Sequence, residues 1–288
     1  MIPREALRAL FRRHWLLLPE PLRLSPPLQA YGRYLNGLVR RFADRKQGFG
    51  TLFLRNRPEL QLLSPLLKLK APGSSLDIAV LGCSNGAEVY SVLWSIRSAR
   101  PDLRLNTHAI DISREILQFA QRGIYSRCGP EASIFERMTG EELEALFELE
   151  AEQARVKAWL KEGIVWLSGD ASDPELIAAL GPQDLVVANR FLCHMKPPAA
   201  EKCLRNIAQL VRPGGYLFVS GIDLDVRAKV AREMGWKPVL DLIREVHEGD
   251  PSLRNAWPLS YWGLEPFRDD RPDWQIRYAA VFQIGKTA

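Results

Sequence analysis

Asp77-Ile78-Ala79-Val80-Leu81-Gly82-Cys83-Ser84-Asn85-Gly86-Ala87-Glu88-Val89-Tyr90 passes from an apolar run, through a loop with two glycines, into a helical pattern. A short apolar run closed by glycine reads as a buried strand, and the residues from 87 onward read as the helix packed behind it. Gly82 and Gly86 let the backbone turn tightly and approach a ligand with no Cβ in the way. The helix behind them offers backbone N–H groups at its N-terminus. The G-x-G-x-x-G spacing that seats a pyrophosphate is missing, and Glu88 would repel a diphosphate. A zwitterionic amino-acid tail suits the loop better, because a carboxylate accepts hydrogen bonds from an ammonium group.

Working outward, the strand–helix alternation repeats. Apolar runs at residues 105–110, 164–167, 185–188 and 216–220 predict strands, and residues 277–284 are rich in β-formers. The expected fold is α/β: a Rossmann-like, mostly parallel sheet with helices on both faces. In such sheets ligands bind outside the carboxyl ends of the strands, near the switch in strand order. Ala71-Pro72-Gly73-Ser74-Ser75 reads as a linker. It divides a small, basic, helical N-terminal segment (residues 1–72) from the Rossmann-like domain (residues 73–288). In the first part Leu7, Leu10, Phe11 and Trp15 recur near helical spacing, with Arg4, Arg8 and Arg12 on the remaining arc. A Pro-rich stretch, 19–27, breaks that helix. An amphipathic run over 28–42 comes next, with Tyr31, Tyr34, Leu35 and Leu38 on one side, and Gly48 and Gly50 end it.

The 288 residues are 47% hydrophobic and 25% charged, a globular composition. No stretch approaches the roughly 20 apolar residues that span a bilayer. The opening MIPREALRALFRRHW carries arginines through its apolar run and has no small-residue cleavage site, so it does not read as a secretion signal. The four cysteines show no C-x-x-C spacing, which predicts free thiols, no metal site and a cytoplasmic protein. His14, His108 and His247 are scattered without ligand spacing. Up to Lys70 there are fourteen Lys and Arg against four Asp and Glu; beyond it, 25 against 30. A basic front suggests an acidic partner, although a solvated amphipathic surface explains it equally well. The aromatic interleaving of a base-stacking platform is missing, which argues against nucleic acid. Oligomeric state leaves no mark in the sequence.

Chemistry is expected after each strand. Asp111, in His108-Ala109-Ile110-Asp111-Ile112-Ser113, could take both hydroxyls of a ribose or cap the helix over 114–122. Asp170, in Ser168-Gly169-Asp170-Ala171, could accept from an exocyclic amine or cap a helix in turn. With Glu88 these make three acidic positions at successive strand ends, an arrangement that suits S-adenosylmethionine better than NAD. After the fourth strand, Asn189-Arg190-Phe191-Leu192-Cys193-His194 occupies the place where a methyl acceptor would meet the sulfonium. Arg212-Pro213-Gly214-Gly215 reads as a turn feeding the strand at 216–220, an order frequent in class I methyltransferases.

From about residue 50 to 221 the chain resembles the CheR-type chemoreceptor glutamate methyltransferases. Thr51-Leu52-Phe53-Leu54-Arg55-Asn56 is similar to that family's T-x-F-F-R-n segment, and Ser84-Asn85-Gly86-Ala87-Glu88-Val89-Tyr90-Ser91 to its S-T-G-E-E-P-Y-S loop. Ala109-Ile110-Asp111-Ile112 matches A-S-D-I, and Ala120-Gln121-Arg122-Gly123-Ile124-Tyr125 matches A-R-x-G-I-Y. Residues 138–169 are similar to a family helix and loop. The resemblance implies cofactor contacts from Thr51, Arg55, Glu88, Asp111, Asp170, Asn189 and Arg190. Gly82, Ser84, Gly86, Ile112 and Ala171 complete the expected set, and His194 stands in place of a tyrosine close to the transferred methyl. The chain departs from the pattern at four points. Asn189-Arg190 reverses the family's Arg-Asn order, Asp170 replaces an asparagine, Ala87 replaces the first of two glutamates, and Phe49 replaces an asparagine. Residues 241–267, with His247, Trp257, Tyr261, Trp262 and Glu265, have no counterpart.

Methyl transfer from a sulfonium is an in-line displacement governed by positioning. A carboxylate acceptor, with a pKa near ~4.3, is already ionised and needs no base. A hydroxyl, phenol or amine would use one, and His194 is the candidate; its other reading is a pocket wall. Arg190 and Arg55 could orient an anionic acceptor or the cofactor's own carboxylate. The catalytic assignment is therefore His194 and Arg190. The expected activity is methylation of a carboxylate on a protein, peptide or small acid. Alternatives are a small-molecule O- or N-methyltransferase, a nucleic-acid methyltransferase and a non-catalytic cofactor-binding regulator. Asp223 and Asp225 read as helix-capping or exposed residues, and the Trp257–Trp262 cluster as packing at a hairpin corner.

Overall fold

The computed structural model describes residues 13–23, 25–41, 50–68, 70–249 and 265–285. Its strands in chain order are β1 Ser75–Leu81, β2 Arg104–Asp111, β3 Ile124–Ser126, β4 Phe147–Leu149, β5 Gln153–Val156, β6 Ile164–Ser168, β7 Gln183–Val187, β8 Val211–Phe218, β9 Lys237–Pro238 and β10 Val281–Gln283. The large sheet runs β6-β2-β1-β7-β8-β10-β9. β1 pairs in parallel with β2 and β7, β2 with β6, and β7 with β8. β10 alone runs antiparallel to its neighbours β8 and β9. Strand order therefore reverses between β1 and β7, which opens a crevice at their carboxyl ends.

Helices cover both faces because the central strands are apolar on both sides. On β1, Leu76, Ile78 and Val80 pack with Tyr90, Leu93 and Ile96 of the helix Ala87–Ala99. Ala79 and Leu81 face the other way, into a core with Leu204 and Ile207 of Pro197–Ala208 and Val230 of Leu224–Glu233. That is the two-residue alternation of a strand buried on both sides. Leu62, Leu63 and Leu67, from the short helices Arg57–Gln61 and Leu63–Leu67, belong to the first of these cores.

Four features differ from the sequence expectations. The β-rich run 277–284 splits: Trp274–Tyr278 is helical, and only Val281–Gln283 is strand. The cause is Arg277, whose guanidinium is buried between Glu265 (2.6 and 2.8 Å) and Asp225 (2.7 Å). Arg212-Pro213-Gly214-Gly215 lies within β8 rather than before it, as a bulge: Gln183 pairs with Val211 but Leu185 with Tyr216. Arg212 there ties β7 to β1, through Asp184 at 2.9 Å and Asp77 at 2.8 Å. Residues 138–169 hold, besides the helix Gly140–Leu146, the strands β4 and β5, which join β3 from outside that stretch in a second sheet of order β3-β5-β4. In the helix Pro26–Arg41, Leu35 is buried with Trp15, Leu18 and Leu28, whereas Tyr31 and Tyr34 are exposed. The apolar stripe is thus narrower than the spacing suggested. Leu7, Leu10, Phe11, Gly48 and Phe49 lie outside the described residues. Among those described, no helix is long and apolar enough to cross a membrane.

Candidate active site

The crevice at the carboxyl ends of β1, β2, β6 and β7 holds a cavity that opens to solvent. Thr51, Arg55, Gly82, Ser84, Glu88 and Asp111 line it, as do Ile112, Ala171, Asn189, Arg190 and His194. Two expected residues do not. Gly86 instead supports the turn: at φ 87° its absent Cβ would meet the Ala120 Cβ at 2.9 Å. Asp170 accepts from the Ser172 N–H at 2.8 Å and Oγ at 2.7 Å, and only its neighbours Gly169 and Ala171 reach the cavity.

The β1 loop is shaped by left-handed backbone at Gly82 (φ 66°), Ser84 (φ 51°) and Gly86. Cys83 N–H donates to the Ile110 carbonyl at 3.0 Å, which keeps the loop joined to β2 beyond the strand. Asp111 is buried and takes the Ser84 N–H at 2.9 Å on Oδ2 and the Ser113 N–H at 3.0 Å on Oδ1. Ser113, not Asp111, caps the helix Arg114–Arg122, accepting from Ile116 N–H. Each oxygen of Asp111 keeps a second lone pair for a ligand hydroxyl.

Thr51 and Arg55 are fixed by the residues between them. Phe53 is fully buried against Tyr125 and Phe147, edge-on at 5.1 and 5.0 Å, and stacks on Phe135 at 5.8 Å. Leu54 adopts φ 52° and donates its N–H to Ser91 Oγ at 2.9 Å, pinning the segment to the helix that carries Glu88. On the opposite wall Arg190 has φ 63°, and its N–H donates to the Ser220 carbonyl at 2.9 Å. Gly221 packs so closely there that a Cβ would lie 2.7 Å from the Arg190 Cα. His194 closes the short turn Leu192–His194.

The reversed Asn189-Arg190 order puts an amide where it binds two acids. Asn189 is buried; its Oδ1 accepts from Ser220 N–H and Oγ, both at 2.8 Å. Because the Ser220 N–H can only donate, the amide nitrogen must face the other way. It donates to Glu59 Oε1 at 2.5 Å and Glu88 Oε1 at 2.9 Å. Burial pushes the Glu88 carboxyl up, against the pull of the Asn189 hydrogen bond, Arg190 and Arg55. Burial, reinforced by Glu88, pushes Glu59 up to about 7. Burial, with Asp111 and Glu88 adding to it, pushes the Cys83 thiol well up, so it is no nucleophile.

Sequence reasoning missed Glu59, Cys83, Ile110, Gly169 and Phe191. An acid in the first turn of a helix is ordinary, as Glu59 is in Arg57–Gln61. The signal that could have found it is its setting, an acid in a run whose Leu62, Leu63 and Leu67 are all core. Phe191 carries no role that its sequence setting suggests; in the fold its ring covers Gly82, where a Cβ would meet it at 2.8 Å. Other polar residues lie elsewhere. His247 is buried, with Nε2 2.6 Å from the Glu265 carbonyl, and packs on Tyr278 at 4.8 Å. Asp223 caps Leu224–Glu233. Trp257, Tyr261 and Trp262 lie outside the described residues. None of the four cysteines forms a disulfide.

A parallel sheet that reverses beside its first strand, a two-glycine loop and a cavity holding Glu88 and Asp111 at adjacent strand ends make up the fold and crevice of the class I S-adenosylmethionine-dependent methyltransferases. The chain belongs to the CheR methyltransferase family, whose SAM-binding domain matches residues 50–224. It is 28% identical over 171 residues to "Probable biofilm formation methyltransferase WspC" of Pseudomonas aeruginosa, covering 58% of this chain and 38% of that protein. It is 25% identical over 194 residues to "Chemotaxis protein methyltransferase Cher2" of Pseudomonas putida, covering 64% of this chain and 68% of that one. A 104.1 kDa protein of Rhodobacter capsulatus is 27% identical over 176 residues, 59% of this chain and 17% of that protein. The chain thus spans well under half the length of two of these three relatives.

Proposed function

We propose that this protein methylates a carboxylate oxygen on a protein, peptide or small-acid acceptor. The observation that carries the reading is one cavity lined by two guanidinium-bearing residues, Arg55 and Arg190, as well as by Glu88 and Asp111. Acidic groups suit the cofactor's ammonium and ribose; cationic ones suit two carboxylates, the cofactor's and the acceptor's. When bound, the cofactor supplies a methyl group activated on a sulfonium. Asp111 accepts from the ribose hydroxyls, Glu88 takes the ammonium and Arg55 the cofactor carboxylate, with Thr51 beside it. The loop Gly82–Gly86 and residues Ile112 and Ala171 shape the surface against the nucleoside. Arg190, held at its left-handed φ by Ser220 and Gly221, orients the acceptor anion, so no base is required. His194 and Phe191 then form a wall that excludes water. The name of one relative, a chemotaxis protein methyltransferase, supports a protein acceptor.

The enzyme unit begins near residue 50 rather than at residue 73, because Phe53, Leu54, Leu62, Leu63 and Leu67 are in its core. Four thiols outside any disulfide suit a reducing compartment, the cytoplasm. The test is transfer of radiolabelled methyl from S-adenosylmethionine in a cell lysate, with subsequent separation of protein, nucleic acid and small molecules. Label in protein or small acids that mild alkali releases as methanol is the expected result. Alkali-stable label, or label in nucleic acid, overturns it.

A further inference from the structure

Beside the main cavity lies a smaller one, which shares Thr51, Arg55, Glu88, Asn189 and Arg190 with it and adds Glu59. Glu59 is 6% exposed. The Asn189 amide nitrogen reaches one oxygen of Glu59 and one of Glu88, so those oxygens are no farther apart than the two hydrogen bonds laid end to end. The amide cannot turn to relieve the approach, since Ser220 holds its oxygen with both N–H and Oγ. The other groups facing Glu59 are Asn56, whose Nδ2 donates to Oε2 at 3.3 Å, and the charges of Arg190 and Arg227. Arg227 is itself committed to the Val219 and Arg277 carbonyls, at 2.8 and 2.9 Å. Two buried carboxyls at such range resist ionising together even with Arg190 and Arg55 acting on Glu88, and a further cation between them lifts that restraint.

We infer that Glu59 is a second carboxylate of the cofactor's amino-acid subsite, holding with Glu88 a single proton that leaves when an ammonium group enters between them. The inference rests on the reading of Glu88 as the ammonium acceptor. No bond other than O–H is broken: the proton passes to buffer, and the ammonium N–H groups take its place against the carboxylates. Glu59 is a positioning and charge-matching group, and Asn189 keeps the two acids in register throughout.

The experiment is calorimetric titration of the full chain with S-adenosylhomocysteine at pH 6.5, in buffers of different ionisation enthalpy. Binding should release most of one proton per site, and the dissociation constant should fall several-fold between pH 6 and pH 7 and then level. Glu59→Gln should still bind but release almost no proton, with its pH dependence flattened. Binding of the unaltered chain with buffer-independent enthalpy and a flat pH profile overturns the inference by itself and needs no variant. So does a Glu59→Gln protein with undiminished proton release. Failure of the unaltered chain to bind at all removes the cofactor site, and the inference falls with it.

Discussion

Asn189 shows how much can depend on one side chain. Its oxygen is held by Ser220 and its nitrogen by two acids, so a family pattern written in reversed order still yields an ordered site. The sequence made Glu88, Asp111 and Arg190 legible because each lies at the end of a strand or in the loop or helix that follows one. It left Glu59 hidden, since its partners come from residues 88 and 189, far along the chain. Asp111 had two readings from sequence, and Ser113 now accounts for the cap. Substituting Asp111→Ala should weaken S-adenosylhomocysteine binding on the order of 100-fold, through two hydroxyls left without an acceptor. Calorimetry reads this directly, and unchanged affinity takes Asp111 out of the site. His194→Phe should leave that affinity within about twofold and, with a carboxylate acceptor, leave the pH–rate profile unchanged in shape. Loss of an acidic limb near pH ~6.5 would instead mark His194 as a base. Glu59 also bears on stability. Its folded value of about 7 exceeds its ordinary 4.5, so the folded state holds more protons in that window and loses stability as pH rises through it. The loss is on the order of 3 kcal/mol. Glu59→Gln should flatten this slope in urea melts taken from pH 4.5 to 7.5.

At the scale of elements, several strands of the large sheet were read in the sequence to within about two residues, even at its half-exposed edge. The run 105–110 became Arg104–Asp111, and 164–167 became Ile164–Ser168. The readings failed where a distant partner decides the backbone. Arg277 is drawn into a helix by Glu265 and Asp225, and the Arg212–Gly215 bulge arises from what β8 must meet on β7. The small sheet β3-β5-β4 has strands of only three or four residues, too short for alternation to declare itself. The glycine loop allows a comparison within one chain. Gly82 and Gly73 share left-handed backbone, φ 66° and 71°, but only Gly82 has a neighbour, Phe191, in the way of a Cβ. Gly73→Ala should cost about 1 kcal/mol, for backbone alone. Gly82→Ala should cost roughly 2 kcal/mol more, through the displaced ring, and should weaken cofactor binding as well. Equal urea midpoints for the two variants would show that the Phe191 contact carries no weight.

For the whole molecule, the class of fold was legible from alternation, but the order of the sheet was not. The antiparallel β10 reaches its place between β8 and β9 only by pairing with strands far back in the chain. The boundary behaves similarly: Ala71-Pro72-Gly73 reads as a linker, while the packing reaches back to Phe53. Removing residues 1–49 should therefore leave a cooperative melt, whereas removing 1–72 should abolish it, because five core side chains are lost. A cooperative melt for the shorter piece would restore the boundary at residue 72. Phe53 has one more consequence. It sits among Tyr125, Phe135 and Phe147 while its near neighbours Thr51 and Arg55 reach into the cavity. A ligand that immobilises those neighbours also tightens the aromatic knot, and with it the three-stranded flap outside the crevice. Deuterium uptake along Gln153–Val156 should slow on saturation with S-adenosylhomocysteine, a protection felt by amides that never touch the ligand.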